Sequence, residues 1–347
     1  MDGTGSRRKN ETSESDIRTG ASSGSEVHTG PVFDSVRSFC LHILESGDLE
    51  SKLVPPRGPG GDPLLDVPGP PVFLDRPARQ DHIQIRSGAD RLPNLNELKD
   101  RHARSACVER FANHELMAVE LFAWALVAYP EMPSALRRGL LHVLEEEQGH
   151  VRLYLDRLAG LGSGLGQSAL SDYFWQQVPG IKESPNGPAS FLCVMGLTFE
   201  QANLDFSLLY RDAFRQNGDE ESARALDIVH KDEIGHVRLA ARWLEKVARP
   251  DGDGHGHVPD GHDPDAQDLG ENEGADALTE LYDRFVPFPL SAARAKGRRF
   301  EVAARRRAGL SDAFIEHVRL AKPYGTRDRG GTSGSSTPST PSTPAGS

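Results

Sequence analysis

Cysteine is scarce: three residues in 347, Cys40, Cys107 and Cys193, with no two close together. That excludes a disulfide framework and points to reduced thiols in a cytoplasmic compartment. Long hydrophobic runs are missing as well. The longest, Leu121–Tyr129, falls far short of the roughly 20 residues a membrane span needs. The N-terminus has no apolar stretch of the kind a secretory signal requires. Positive charge is in deficit, with 40 Lys and Arg against 51 Asp and Glu and a formal net charge of -11. Nucleic acid is therefore not an expected partner, since a phosphate backbone demands a basic face. The local basic run Arg305–Arg307 reads as a solvated helix face. The chain also lacks a phosphate-binding loop, a dinucleotide fingerprint and a nucleophile elbow. His114-Glu115 does not open a His-Glu-x-x-His zinc site, because Ala118 stands where the second histidine belongs.

Composition divides what is present. Residues 1–30 and 323–347 are polar, rich in Gly, Ser, Thr or Pro, and expected to be disordered tails. Residues 31–94 hold an accessory helix within Val32–Leu53, marked by Val36, Phe39, Cys40, Ile43 and Leu44. A Pro- and Gly-rich segment, Pro55–Pro77, then wraps the surface. Residues 95–250 read as four helices: 97–129, stopped by Pro130 and Pro133; a second, N-capped by Ser134, ending at Gly160 or Gly162; 188–216; and 219–248. Residues 251–274 form an acidic, Gly-rich loop carrying His255, His257 and His262, read as incidental histidines. Residues 275–322 are expected to hold helices near 275–285, 291–308 and 311–320.

The informative feature is a repeat. Glu147-Gln148-Gly149-His150-Val151-Arg152-Leu153 returns 86 residues later as Glu233-Ile234-Gly235-His236-Val237-Arg238-Leu239. Upstream, Glu115 and Glu120 are echoed by Glu200 and Asp205. In each Glu-x-x-His the two side chains share one helix face. That face is otherwise apolar: Leu140, Val143, Leu144, Val151 and Tyr154 in one copy, Leu226, Val229, Val237 and Leu244 in the other. A carboxylate in an apolar stripe is costly unless paired or metal-bound. Two lone acids plus two Glu-x-x-His pairs are the ligand set of a dinuclear centre in a four-helix bundle.

Glu115 and Glu120 point about 140° apart on a helix, so both cannot readily serve one site. The turn after the first helix centres near residue 131 or 132, which places Glu115 level with Glu147. The 32-residue separation of Glu115 and Glu147 also agrees with the 33 of Glu200 and Glu233. The expected ligands are Glu115, Glu147, His150, Glu200, Glu233 and His236, with Glu120 retained as the alternative to Glu115. Asp205 stands where Glu120 does in the second half and is carried as a supporting acid. Glu146 and Asp232, four residues before His150 and His236, could accept the outer imidazole N–H of the histidine on the partner helix. His230 reads as a core or supporting histidine, with a seventh ligand as the alternative. Cys193, Gly196, Leu197, Asn203, Leu204 and Ser207 are small or polar enough to leave a cavity beside Glu200. Four carboxylates and two imidazoles suit two iron ions, with manganese as the alternative.

Asn113-His114-Glu115-Leu116-Met117-Ala118-Val119-Glu120-Leu121, Asp232-Glu233-Ile234-Gly235-His236-Val237 and Asn217-Gly218-Asp219-Glu220-Glu221 resemble the proteins grouped as domain of unknown function 455. The acid-Glu-x-x-His pairs are also similar to those of the wider ferritin-like di-iron superfamily. The resemblance covers about 95–248, with the C-terminal helices to about 320 as its wider extent. It implies an all-α, ferritin-like four-helix bundle with accessory helices and disordered termini, built around a carboxylate-bridged di-iron site. It brings no established reaction. The leading expectation is an O2-dependent oxidase or oxygenase acting on a small molecule by hydroxylation, desaturation or N-oxygenation, supplied by an electron donor. A non-enzymatic iron-binding or storage protein and a tRNA-hydroxylase-like modifying enzyme are the alternatives. A homodimer is compatible with either.

Overall fold

In the computed structural model the dominant pattern is helix. Residues 31–88, 91–249 and 274–323 are described, and from Val32 onward they belong to one unit. The helices are α1 (Val36–Glu45), α2 (Leu49–Lys52), α3 (Arg101–Ala128), α4 (Ser134–Gly160), α5 (Val178–Glu183), α6 (Gly187–Val194), α7 (Gln201–Gln216), α8 (Glu220–Ala248), α9 (Gly274–Phe285), α10 (Val302–Arg307) and α11 (Asp312–Leu320). Among the described residues the two named strands, Ile85–Arg86 and Leu170–Ser171, pair in parallel.

From Glu115 to Ala128 every residue of α3 is buried, as expected of a helix apolar on all sides. By length and composition it is the one helix among the described residues that could cross a membrane, but 94% of the qualifying window is buried in protein. It runs beside α4 and under α1, while α7 runs beside α8. Contacts between α4 and α8, Phe111 against Tyr210, and Phe122 against Phe191 join the two pairs. The buried face of α1 is Val36, Phe39, Cys40, Ile43 and Leu44. The segment after it is extended and tied to the helices: the Val72 N–H donates to Val127 O, Trp124 Nε1 to Leu74 O, and Arg137 forks onto Asp66.

Several local expectations are corrected. Ser134 is the first helical residue of α4, with Pro133 at the cap, and its hydroxyl accepts from Arg138 instead of capping. The helix expected at 188–216 is interrupted by a π turn, Met195–Glu200. The wider turn leaves the Cys193 carbonyl to the Thr198 hydroxyl, 2.7 Å away, and that hydroxyl also meets Tyr282 Oη at 2.7 Å on α9. Gly196 is required there, since a Cβ on it would lie 2.2 Å from Ala240 Cβ on α8. The helix expected at 291–308 shrinks to the turn Ala292–Arg294 and α10. Between them Gly297 and Glu301 donate their N–H groups to the Asp205 carboxylate at 2.8 and 2.7 Å, so this backbone caps an acid and does not continue a helix. Arg305, expected in solvent, is fully buried. His255, His257 and His262 lie outside the described residues.

Candidate metal centre

Glu115 comes from α3, Glu147 and His150 from α4, Glu200 from the end of the π turn, and Glu233 and His236 from α8. All six are buried, Glu147 and Glu233 completely. Their ligand atoms form two groups, each within a 4.8 Å span: Glu115, Glu147, His150 and Glu233, and Glu147, Glu200, Glu233 and His236. Glu147 and Glu233 belong to both, so the groups interlock through two shared carboxylates.

The imidazoles are oriented by crossed partners. His150 Nδ1 faces Glu147 Oε2 at 3.2 Å, while its Nε2 reaches Asp232 Oδ2 on α8 at 3.3 Å. His236 Nδ1 lies 3.2 Å from Glu233 Oε2, and its Nε2 reaches Glu146 Oε2 on α4 at 3.0 Å. Each inner nitrogen therefore points at the carboxylates, and each outer nitrogen is held by an acid of the opposite helix. Glu147 Oε1 is buried without a hydrogen bond; His236 Nδ1 lies 3.0 Å away, in ion-pair contact but not in hydrogen-bond geometry.

The protonation pattern follows from this crowding. Burial, then the negative charges of Glu147 and Glu233, push the Glu115 carboxyl well above its ordinary value. Burial, Glu233 and Glu147 do the same to Glu200. Burial opposes ionisation of Glu147, but His150 and His236 hold it far below the usual range. Burial also opposes charge on both histidines, and the surrounding acids overcome it, so both are pushed well up. Without a cation, burial and crowding thus favour protons on Glu115, Glu200 and the two imidazoles. Divalent ions could replace those protons.

The family described as "Protein of unknown function (DUF455)" matches residues 62–316. The chain belongs to the DUF455 family. No curated protein and no solved structure matches it.

Two acids of this DUF455 protein are committed elsewhere. Glu120, the alternative ligand, is gripped by Arg79 through two 2.9 Å contacts, by Lys52 at 3.0 Å and by Trp175 Nε1 at 3.1 Å. Asp205 is gripped by Arg305 at 2.7 and 2.9 Å. Neither is in the ligand groups, because each has buried cations of its own. His230 is also absent from them and meets Ser207 Oγ at 3.0 Å. Asn203, read only as a small polar residue beside Glu200, donates to Glu233 Oε1 at 2.6 Å and so fixes a shared carboxylate. Its position two turns along from Gly196 on the Glu200 face was the available signal. Gly196 lines an apolar pocket with Phe122, Val143, Phe191, His236 and Ala240, sized for about one water-like molecule.

Proposed function

We propose that this protein is a ferritin-like di-iron carboxylate protein that uses O2 to oxidise a small organic substrate. The observation that supports this reading is the pair of interlocking ligand groups sharing Glu147 and Glu233. Four carboxylates and two imidazoles are the donor set of carboxylate-bridged di-metal proteins, presented as a lone Glu on two helices and Glu-x-x-His on the other two. Glu147 and Glu233, which belong to both groups, would help to hold both ions. Glu115 with His150 would complete one shell, and Glu200 with His236 the other. Two ferrous ions and four carboxylates cancel in formal charge, which removes most of the penalty of burying either set alone. Manganese would fit the same donors.

When bound, reduced iron supplies the electrons that activate O2. The chain's residues do the rest. Asp232 and Glu146 would hold the outer N–H of each imidazole, so that the inner nitrogen, whose proton an ion would replace, is the one presented for coordination. Asn203 steadies Glu233. The core around Leu140, Val143, Leu144, Val229 and Val237 excludes bulk water. The pocket beside Gly196 and His236 offers an apolar place for a small gas. Turnover would require an external electron donor.

Anaerobic reconstitution with ferrous iron tests the reading. About two iron ions per chain are expected, followed by O2 uptake when the reduced protein meets air. A single zinc, or no retained metal, would overturn the dinuclear reading. Two irons without O2 uptake would remove the oxidase part alone.

A further inference from the structure

The centre comes nearest to solvent along one seam. Glu115 and Glu200 retain 6% and 5% exposure, whereas Glu147 and Glu233 retain none. These two acids stand on α3 and the π turn, and a ladder of rings bridges those two elements. Phe174 is sandwiched between His114, the residue before Glu115, and Phe199, the residue before Glu200. Its ring centroid is 5.2 Å from His114 with planes 20° apart, and 4.3 Å from Phe199 with planes 8° apart. Tyr173 continues the ladder 5.5 Å from Phe199. Arg294 ends it, its guanidinium 5.2 Å over the Tyr173 ring and donating to the Tyr173 hydroxyl. Arg294 is exposed, and no carboxylate is paired with it among the described residues.

We propose that this seam is a binding site for a planar aromatic carboxylate, the substrate class of the centre. The substrate role rests on the di-iron reading above; the binding site does not. The near-parallel faces of His114 and Phe199 accept only a flat group, and Phe174 fills that slot when no ligand is present. Phe174 is only half-buried and lies in the connection between α4 and α5, where a side-chain rotation vacates the slot without moving a long helix. A ligand ring takes its place by offset stacking. The planar guanidinium of Arg294, already oriented by Tyr173, matches the two oxygens of a carboxylate. A ligand seated this way lies beside the two ligand acids that are least enclosed.

The test is equilibrium binding of 2-naphthoate, with neutral 2-naphthamide as control, to the metal-free full-length chain. Wild type is expected to bind the acid more tightly than the amide. Arg294→Gln should weaken the acid about tenfold and leave the amide unchanged, because only the acid uses a charge-assisted pair. Phe174→Ala should tighten both by about tenfold, because no resident stack must be broken. Unchanged naphthoate affinity in both variants would overturn the proposal, as would equal loss of acid and amide in Arg294→Gln. Metal content of the same variants, measured separately, should match wild type. Loss of metal binding in wild type itself would count against the di-iron reading and leave the seam to the naphthoate result.

Discussion

Replacing Glu120 by Gln and Glu115 by Gln should have opposite consequences, although the two acids are five residues apart on one helix. Glu120 is fully buried and is the carboxylate facing Arg79 and Lys52. Glu120→Gln keeps the shape but leaves two buried cations without their countercharge. Lys52 can shed its proton, and burial already pulls its pKa down despite the pull of Glu120. Arg79 cannot. Breaking a buried pair from one side costs about 3–5 kcal/mol, which for a chain of 347 residues is roughly 4–7 °C in Tm. The ligand groups do not include Glu120, so metal stoichiometry should stay at the wild-type level. Glu115→Gln removes an acid that burial, and then its charged neighbours, push toward the neutral form. The metal-free protein should remain within about 1 kcal/mol of wild type, while the loaded protein loses metal. Denaturant titration of the metal-free proteins and elemental analysis after reconstitution read the two effects independently. Glu120→Gln emptying the centre while Glu115→Gln fills it would refute this assignment, as would Glu120→Gln unfolding at the wild-type denaturant concentration.

Acid should erase the difference between wild type and Glu120→Gln. Burial opposes ionisation of Glu120, yet Arg79 and Lys52 hold its pKa below the ordinary 4.5. Its contribution is therefore present above that value and lost as pH falls through the lowered one; a gap that persists or widens in strong acid, in a pH series of unfolding curves, would contradict this. Cys40, Cys107 and Cys193 are all buried, and burial pushes the Cys193 and Cys40 thiols up. A thiol reagent should label none of the three in native protein and all three after denaturation, and rapid native labelling would refute that enclosure. Gly196→Ala should destabilise by about 1–3 kcal/mol through overpacking against Ala240, and Ala240→Gly in the same chain should restore much of the loss; a Gly196→Ala protein that melts like wild type would show that the helices can part at no cost.

The long helices were legible because their apolar residues recur at helical spacing and prolines or glycines stop them. Turn distance, with the matching 32- and 33-residue separations, set Glu115 apart from Glu120, since antiparallel neighbours pair at equal distance from their connection, and it is Glu115 that falls in a ligand-capable group. The π turn was not legible, because the widening depends on Thr198 bonding both Cys193 and Tyr282, and Tyr282 is 84 residues away. The expected helix at 291–308 failed for a similar reason: helix propensity does not reveal that Asp205 will claim the N–H groups of Gly297 and Glu301. Arg305 looked like surface charge because its partner lies 100 residues earlier. Phe174 gave no periodic signal, and only the folded chain stacks it between two helices.

Glu120 and Asp205 occupy equivalent places in the two halves of the chain, and each is claimed by an arginine from outside the four long helices, Arg79 before them and Arg305 after them. The flanking segments thus plug into the helices by the same connector used twice. An excised fragment spanning 95–250 would carry two interior carboxylates stripped of their counterions, so trimming the protein to its four long helices removes part of what makes those helices foldable. A fragment that keeps both arginines must reach from Arg79 to Arg305, and the stretch matched by the family, 62–316, contains them, although Lys52, the other cation on Glu120, lies before it.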